Sequence, residues 1–136
     1  MTVLEKLKNW LQSFPLWEDT LQIDAVSALP GSSGLFPRGI TEISRKTDIL
    51  GNVTTENKMQ FVLYRVAPHQ PEDNSSFLLA LQNWIQQQSA CGLAPQFGDD
   101  ATRERILAEQ GKLHAVPQAS TGKYGVNLTV EYIKNY

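Results

Sequence analysis

The sequence predicts an α+β fold, a mostly antiparallel sheet with an extended β-hairpin and two main helices packed on one face. Three observations carry that expectation. Two stretches repeat apolar residues at helical spacing, several others alternate with a period of two, and a strong turn signal sits between two of the alternating runs. With 136 residues, 41% of them hydrophobic, the chain is sized for one core. No internal repeat, low-complexity tract or shift in composition divides it, so residues 1–136 are read as a single domain.

The first helix is expected over residues 2–14. Val3, Leu4, Leu7, Trp10, Leu11 and Phe14 recur three and four residues apart, Thr2 with Glu5 forms a capping box, and Pro15 supplies the stop. A short strand follows at Leu21, Ile23 and Ala25, which alternate with Gln22, Asp24 and Val26. Residues 29–38 are expected to form a long loop. Gly31, Gly34 and Gly39 with Pro30 and Pro37 argue against regular structure there, and the loop would carry Leu35 and Phe36 at its tip.

Residues 40–45 and 59–66 read as two strands of a hairpin, joined through residues 47–58 with Gly51-Asn52 as the turn. The outer part, residues 50–57, is too polar to be covered on both faces and is expected to project as an arm. Met59, Phe61 and Leu63 lie on one face of the returning strand, with Val62, Tyr64 and Val66 on the other, so its base is sandwiched. Pro68, Pro71 and the polar residues that follow form a linker into a second helix over residues 75–90, which Gly92 ends. A shorter helical piece is expected over residues 102–110, with Asp99 and Asp100 near its start and Gly111 after it. A strand over residues 112–116 and a turn at 120–122 lead to the clearest strand of the chain, where Tyr124, Val126, Leu128, Val130 and Tyr132 alternate with mostly polar neighbours.

Charge and chemistry exclude several functions. The formal net charge of −2, from 12 basic and 14 acidic residues without blocks of like sign, argues against nucleic acid as the main partner. No apolar run approaches the roughly 20 residues of a membrane helix. Cys91 stands alone, and without an export signal it points to a reducing cytoplasm. His69 and His114 are the only histidines, neither in a nucleophile–base setting, and no GxSxG elbow surrounds a serine. No His, Cys and carboxylate spacing fits a metal, and the glycines at 31–39 lack the Gly-Lys-Ser/Thr ending of a phosphate loop. The chain is therefore read as neither an enzyme nor a cofactor or metal carrier. Any small-molecule site would have to draw on His114, Glu131 or Arg65. A long hairpin, an apolar-tipped glycine loop and tryptophans near segment ends suit strand addition or ring assembly better.

The string PGSSGLFPRGITEISRKTDILGN, then FVLYRVA, then LLALQNWIQQQSACGLAPQFGDD resembles small proteins of the tail-morphogenesis clusters of phages and prophages, the minor capsid or tail-terminator-like group. The resemblance covers residues 21–136 in overall order and a few phrases. It implies an α+β protomer that forms a homo-oligomeric ring, typically hexameric, at the head-proximal end of a tail tube, in contact with tube and head-completion proteins. It also implies assembly in the cytoplasm of a bacterial host into a virion or phage-tail-like particle. Other head–tail connector or tube roles belong to the same assembly. Relatives sometimes labelled chloramphenicol resistance proteins would need a His-His-x-x-x-Asp-Gly motif, which neither His69 nor His114 matches. The resemblance implies subunit contacts from the loop and hairpin, expected at Leu35, Phe36, Arg38, Leu50, Asn52 and Val53.

Overall fold

The alternation along residues 59–66 sets the centre of the molecule. In the computed structural model, which describes residues 2–17, 19–26, 31–68, 71–118 and 121–136, these residues belong to a long strand with neighbours on both sides. The order of elements is α1 (Val3–Gln12), β1 (Thr20–Ile23), β2 (Ser32–Thr47), β3 (Val53–Pro68), α2 (Pro71–Ala90), a 3-10 turn (Ala101–Arg103), β4 (Arg105–Gln118) and β5 (Thr121–Asn135). The sheet runs β1-β2-β3-β5-β4, antiparallel except for the β1–β2 pair. The α+β class expected from the sequence is observed.

Period-two alternation divides the sheet into a helix-covered face and an opposite face, which is buried at Val62 and Val66 and more open elsewhere. Met59, Phe61 and Leu63 of β3 stand beside Val130, Leu128 and Val126 of β5, and Leu35 of β2 stands beside Leu63. These residues join Leu7, Trp10, Leu11 and Phe14 of α1 and Leu78, Leu81 and Ile85 of α2 in one hydrophobic cluster. Each such aliphatic side chain, fully buried, stabilises the fold by about 1.5–3 kcal/mol. The two helices meet through aromatic rings. Trp10 stacks on Trp84 at 5.1 Å between centroids, and Phe14 lies 5.3 Å from Trp84 and 5.7 Å from Phe77.

The helix termini follow their sequence signals. The Glu5 amide donates to Thr2 Oγ1 and the Thr2 amide to Glu5 Oε2, each at 3.2 Å, the reciprocal pair of a capping box. At the end of α2, the Leu93 amide donates to the Gln88 carbonyl and the Gly92 amide to the Ser89 carbonyl, with Gly92 at φ 71°. This is a Schellman cap, in which glycine takes the left-handed position at least cost.

Four expectations are corrected. Residues 32–38 are strand, not loop: β2 begins at Ser32 and carries Pro37 within it. Proline is tolerated there because β1 pairs only with Ser32, Ser33, Gly34 and Leu35, so Pro37 sits on a free sheet edge where a missing N–H breaks no ladder. Leu35 accordingly is not at an exposed tip but wholly buried in the core. The expected linker before the second helix is the helix's first turn, since α2 starts at Pro71, a position where proline's fixed φ suits a helix. The expected helix over residues 102–110 is instead the 3-10 turn followed by β4, whereas the strand expected over residues 112–116 is observed, as part of that longer β4. Finally, the returning strand of the hairpin is no free arm, because β5 pairs with it all the way from Pro68↔Thr121 to Thr54↔Asn135. Leu29, Pro30, His69 and Ser120 lie outside the described residues, as does the side chain of His114.

Candidate assembly surface

Beyond Leu35, β2 leaves β1 behind and becomes the margin of the sheet. No other strand pairs with its outer side among the described residues. From Pro37 onward its side chains are exposed on both faces, apart from the half-buried Ser44. Two register shifts interrupt it, one between Pro37 and Gly39 and one between Glu42 and Ser44. Each is a bulge that leaves one residue unpaired, Arg38 in the first and Ile43 in the second, and each bends the strand.

The bulges decide which side chains share a face. Ile40 stands opposite Met59, Glu42 opposite Asn57 and Arg45 opposite Thr55, all on the helix side. The extra residue at Ile43 brings Arg45 onto the same face as Glu42, and the two pair at 2.8 Å. Both are well exposed, so this pair adds little stability. On the open face, Glu56 accepts from Ser44 at 3.0 Å and from Arg103 at 2.5 Å, and Arg105 donates to Glu131 at 2.6 Å. Arg38 borders a shallow groove of about 370 Å³ with Gln60, Glu109, Asn127 and Thr129.

The β2–β3 hairpin ends in a turn organised by one carboxylate. Asp48 Oδ1 accepts from the amides of Leu50 and Asn52, both at 2.9 Å, and Oδ2 accepts from Asn52 Nδ2 at 3.0 Å. The Asp48 amide donates to the Asn52 carbonyl at 3.0 Å, and Gly51 takes φ 86°. Hydrogen bonds from the Asn52 side chain, then from its backbone, hold the Asp48 carboxyl below its usual pKa of 3.8. With the backbone turned inward, Ile49 and Leu50 are 102% and 82% exposed.

The sequence-predicted contact residues fall in three places. Leu35 is core and can contact no partner. Phe36 is half-buried with its ring edge-on to Tyr64 at 5.5 Å, and Arg38 is exposed at the first bulge. Leu50, Asn52 and Val53 lie at the far turn, about 30 Å of strand away at roughly 3.3 Å per residue. Ile40, Ile43 and Ile49, at 64%, 52% and 102% exposure, are further exposed apolar residues of this strand and turn that pattern alone did not single out; Leu16, Leu79 and Leu93 are exposed elsewhere. The available signal was an isoleucine beside Leu50 in an otherwise polar turn.

A second concavity touches the same strand. Val3 and Leu4 of α1, Pro37 and Ile40 of β2, and Met59 and Phe61 of β3 border a groove of about 310 Å³. Only Gln60 among its bordering side chains is polar.

Other polar side chains among the described residues are paired within the fold. Asp19 accepts from Ser33 Oγ and Arg65 Nε, each at 2.7 Å, and the Arg65 guanidinium lies 3.7 Å from the centre of the Phe77 ring. Arg65 and Glu131, the side chains a small-molecule site would draw on, are thus both engaged in ion pairs. Burial raises the Tyr132 pKa above its ordinary value, with the charges of Tyr136 and Glu104 adding to the effect. Among the described residues, no three His, Cys, Asp or Glu side chains gather as metal ligands, and no helix is long and apolar enough to cross a membrane. Comparison with models of known protein families gives no match, and comparison with curated proteins gives no significant match.

Proposed function

We propose that the chain is a structural assembly protein, one that works by associating with copies of itself in a ring. Following the resemblance in its sequence, the ring caps the head-proximal end of the tail tube of a phage or phage-tail-like particle and meets the head-completion proteins there. The observation that carries the assembly reading is the free outer half of β2 with its turn. Ile40, Ile43, Ile49 and Leu50 stand exposed along it, held out by a fold that has no internal use for them. Scattered single apolar residues on a surface need no explanation, but four exposed aliphatics gathered on one unpaired sheet margin and its turn support a contact surface. Ordered presentation strengthens the reading, because Asp48 organises the turn before any partner arrives.

Light scattering across a concentration series, together with electron microscopy of the protein mixed with tail tubes, tests this. Rings in solution, or density confined to one end of the tubes, are expected. Density along the tube wall would make it a tube component. A protein that stays monomeric at every concentration and never associates with tubes would sink the proposal.

A further inference from the structure

We infer that the hairpin tip of one subunit, Ile49 and Leu50, docks in the apolar groove between α1 and the base of β2 on a second copy of this chain. The inference rests on the assembly reading above and names its contact. The groove is lined by carbon-rich groups, including Leu4, Pro37, Ile40 and Phe61, and is open to solvent. Water held against such walls is readily displaced by aliphatic side chains, and the same chain displays two of them fully outside its own fold.

The tip cannot reach its own groove. β2 is paired with β3 from Pro37↔Phe61 to Thr47↔Val53, interrupted only by the two bulges, and this ladder holds the tip roughly 20–25 Å from the groove. A second copy is therefore needed. Because tip and groove are different surfaces, each subunit gives one and takes one. Such a head-to-tail contact closes into a ring where the rotation permits and otherwise runs on as a filament.

Direct strand addition along β2 fits less well. Pro37 removes a donor, Arg38 and Ile43 form bulges, and Glu42, Arg45 and Lys46 place charge along the margin. These are the devices by which sheet edges resist pairing. The side chains at the tip are thus better placed than the β2 backbone to join subunits.

Two exposed positions separate the surfaces experimentally: Leu50→Asp removes a good tip and Ile40→Asp a good groove. Unfolding midpoints close to that of the parent chain confirm that each variant folds. Each alone is expected to lose self-association by at least about tenfold in sedimentation. An equimolar mixture of the two is expected to form a heterodimer and nothing larger, because one intact tip and one intact groove remain. In a Cys91→Ser background, Ile40→Cys combined with Leu50→Cys should give a ladder of oxidised oligomers, while either cysteine alone gives none. Assembly unchanged by both aspartates removes this contact and leaves the assembly reading standing, as does a mixture in which nothing pairs although the parent chain assembles. A parent chain that stays monomeric in concentrated solution and on tubes removes both.

Discussion

Asp19 and Arg65 stand 46 residues apart and yet make the most enclosed ion pair among the described residues, with side chains 4% and 19% exposed. The carboxylate is desolvated but accepts from Ser33 as well as Arg65, and Phe77 covers the guanidinium. Removing one partner leaves the other charge buried and unsatisfied, which costs about 3–5 kcal/mol. Arg65→Ala is therefore expected to lower urea stability by that order, with Ser33→Ala costing about 1 kcal/mol. A loss below about 1 kcal/mol for Arg65→Ala would show that water reaches Asp19 freely. Asp48 gives a prediction of the opposite character, since it is fully exposed. Its folded pKa is depressed, so the carboxylate's support of the turn is complete above its ordinary pKa of 3.8 and fades as pH falls through the lower folded value. The Asp48 carboxyl followed by NMR should titrate below 3.8, together with the Leu50 and Asn52 amides, and in Asn52→Ala it should move back up. Only Asp48 was near to being legible in the sequence, as a turn residue beside Gly51. The Asp19–Arg65 pair was not, because the partners meet only after β1 pairs with β2 and β2 with β3.

At the scale of elements, α1, α2, β3 and β5 were legible because each follows a single period over many residues. β2 and β4 were legible only in part, at residues 40–45 and 112–116, because each also contains residues that ordinarily break a strand. Pro37 and Gly39 in β2 belong to a bulged free edge, and Gly111 in β4 falls at a register shift between Glu109 and Lys112. Ile106 and Ala108 show how β4 was concealed. Both point toward the helices, opposite Val130 and Leu128, but two positions are too few to tell period two from a helix start. Gly34 has a different cause. Its φ is ordinary, but a Cβ there would collide with the Ala25 carbonyl oxygen and crowd the Val26 Cβ and the Phe36 ring. Glycine lets the segment leaving β1 cross β2 at close quarters. Gly34→Ala is expected to cost about 2 kcal/mol or more, as overpacking does, and to raise protease sensitivity around residues 24–26. Gly39, where nothing crowds a Cβ, serves as the control for space; alanine there is strained only by its φ of 114°.

Taken whole, the molecule has one side given to its own core and one margin given to none of it. The helices cover the sheet from Leu35 and Phe61 to Val130, whereas the outer part of β2 and its turn carry aliphatic side chains that no described residue covers. The sequence signalled a long hairpin, but neither that β5 flanks its returning strand nor which residues of β2 face outward, because face depends on the two bulges and the bulges leave no mark in a period-two pattern. How subunits would use this margin is open to a direct measurement. Docking through the tip shields the turn from water without giving β2 new backbone partners, while strand addition pairs its outward amides. Hydrogen exchange compared between dilute monomer and assembly is expected to slow at residues 48–52 and around Leu4, with residues 41–46 still exchanging fast at alternate positions. Slowing confined to residues 41–46 would mean that neighbours extend the sheet, and that the charges and bulges along β2 fix the register of that pairing instead of preventing it.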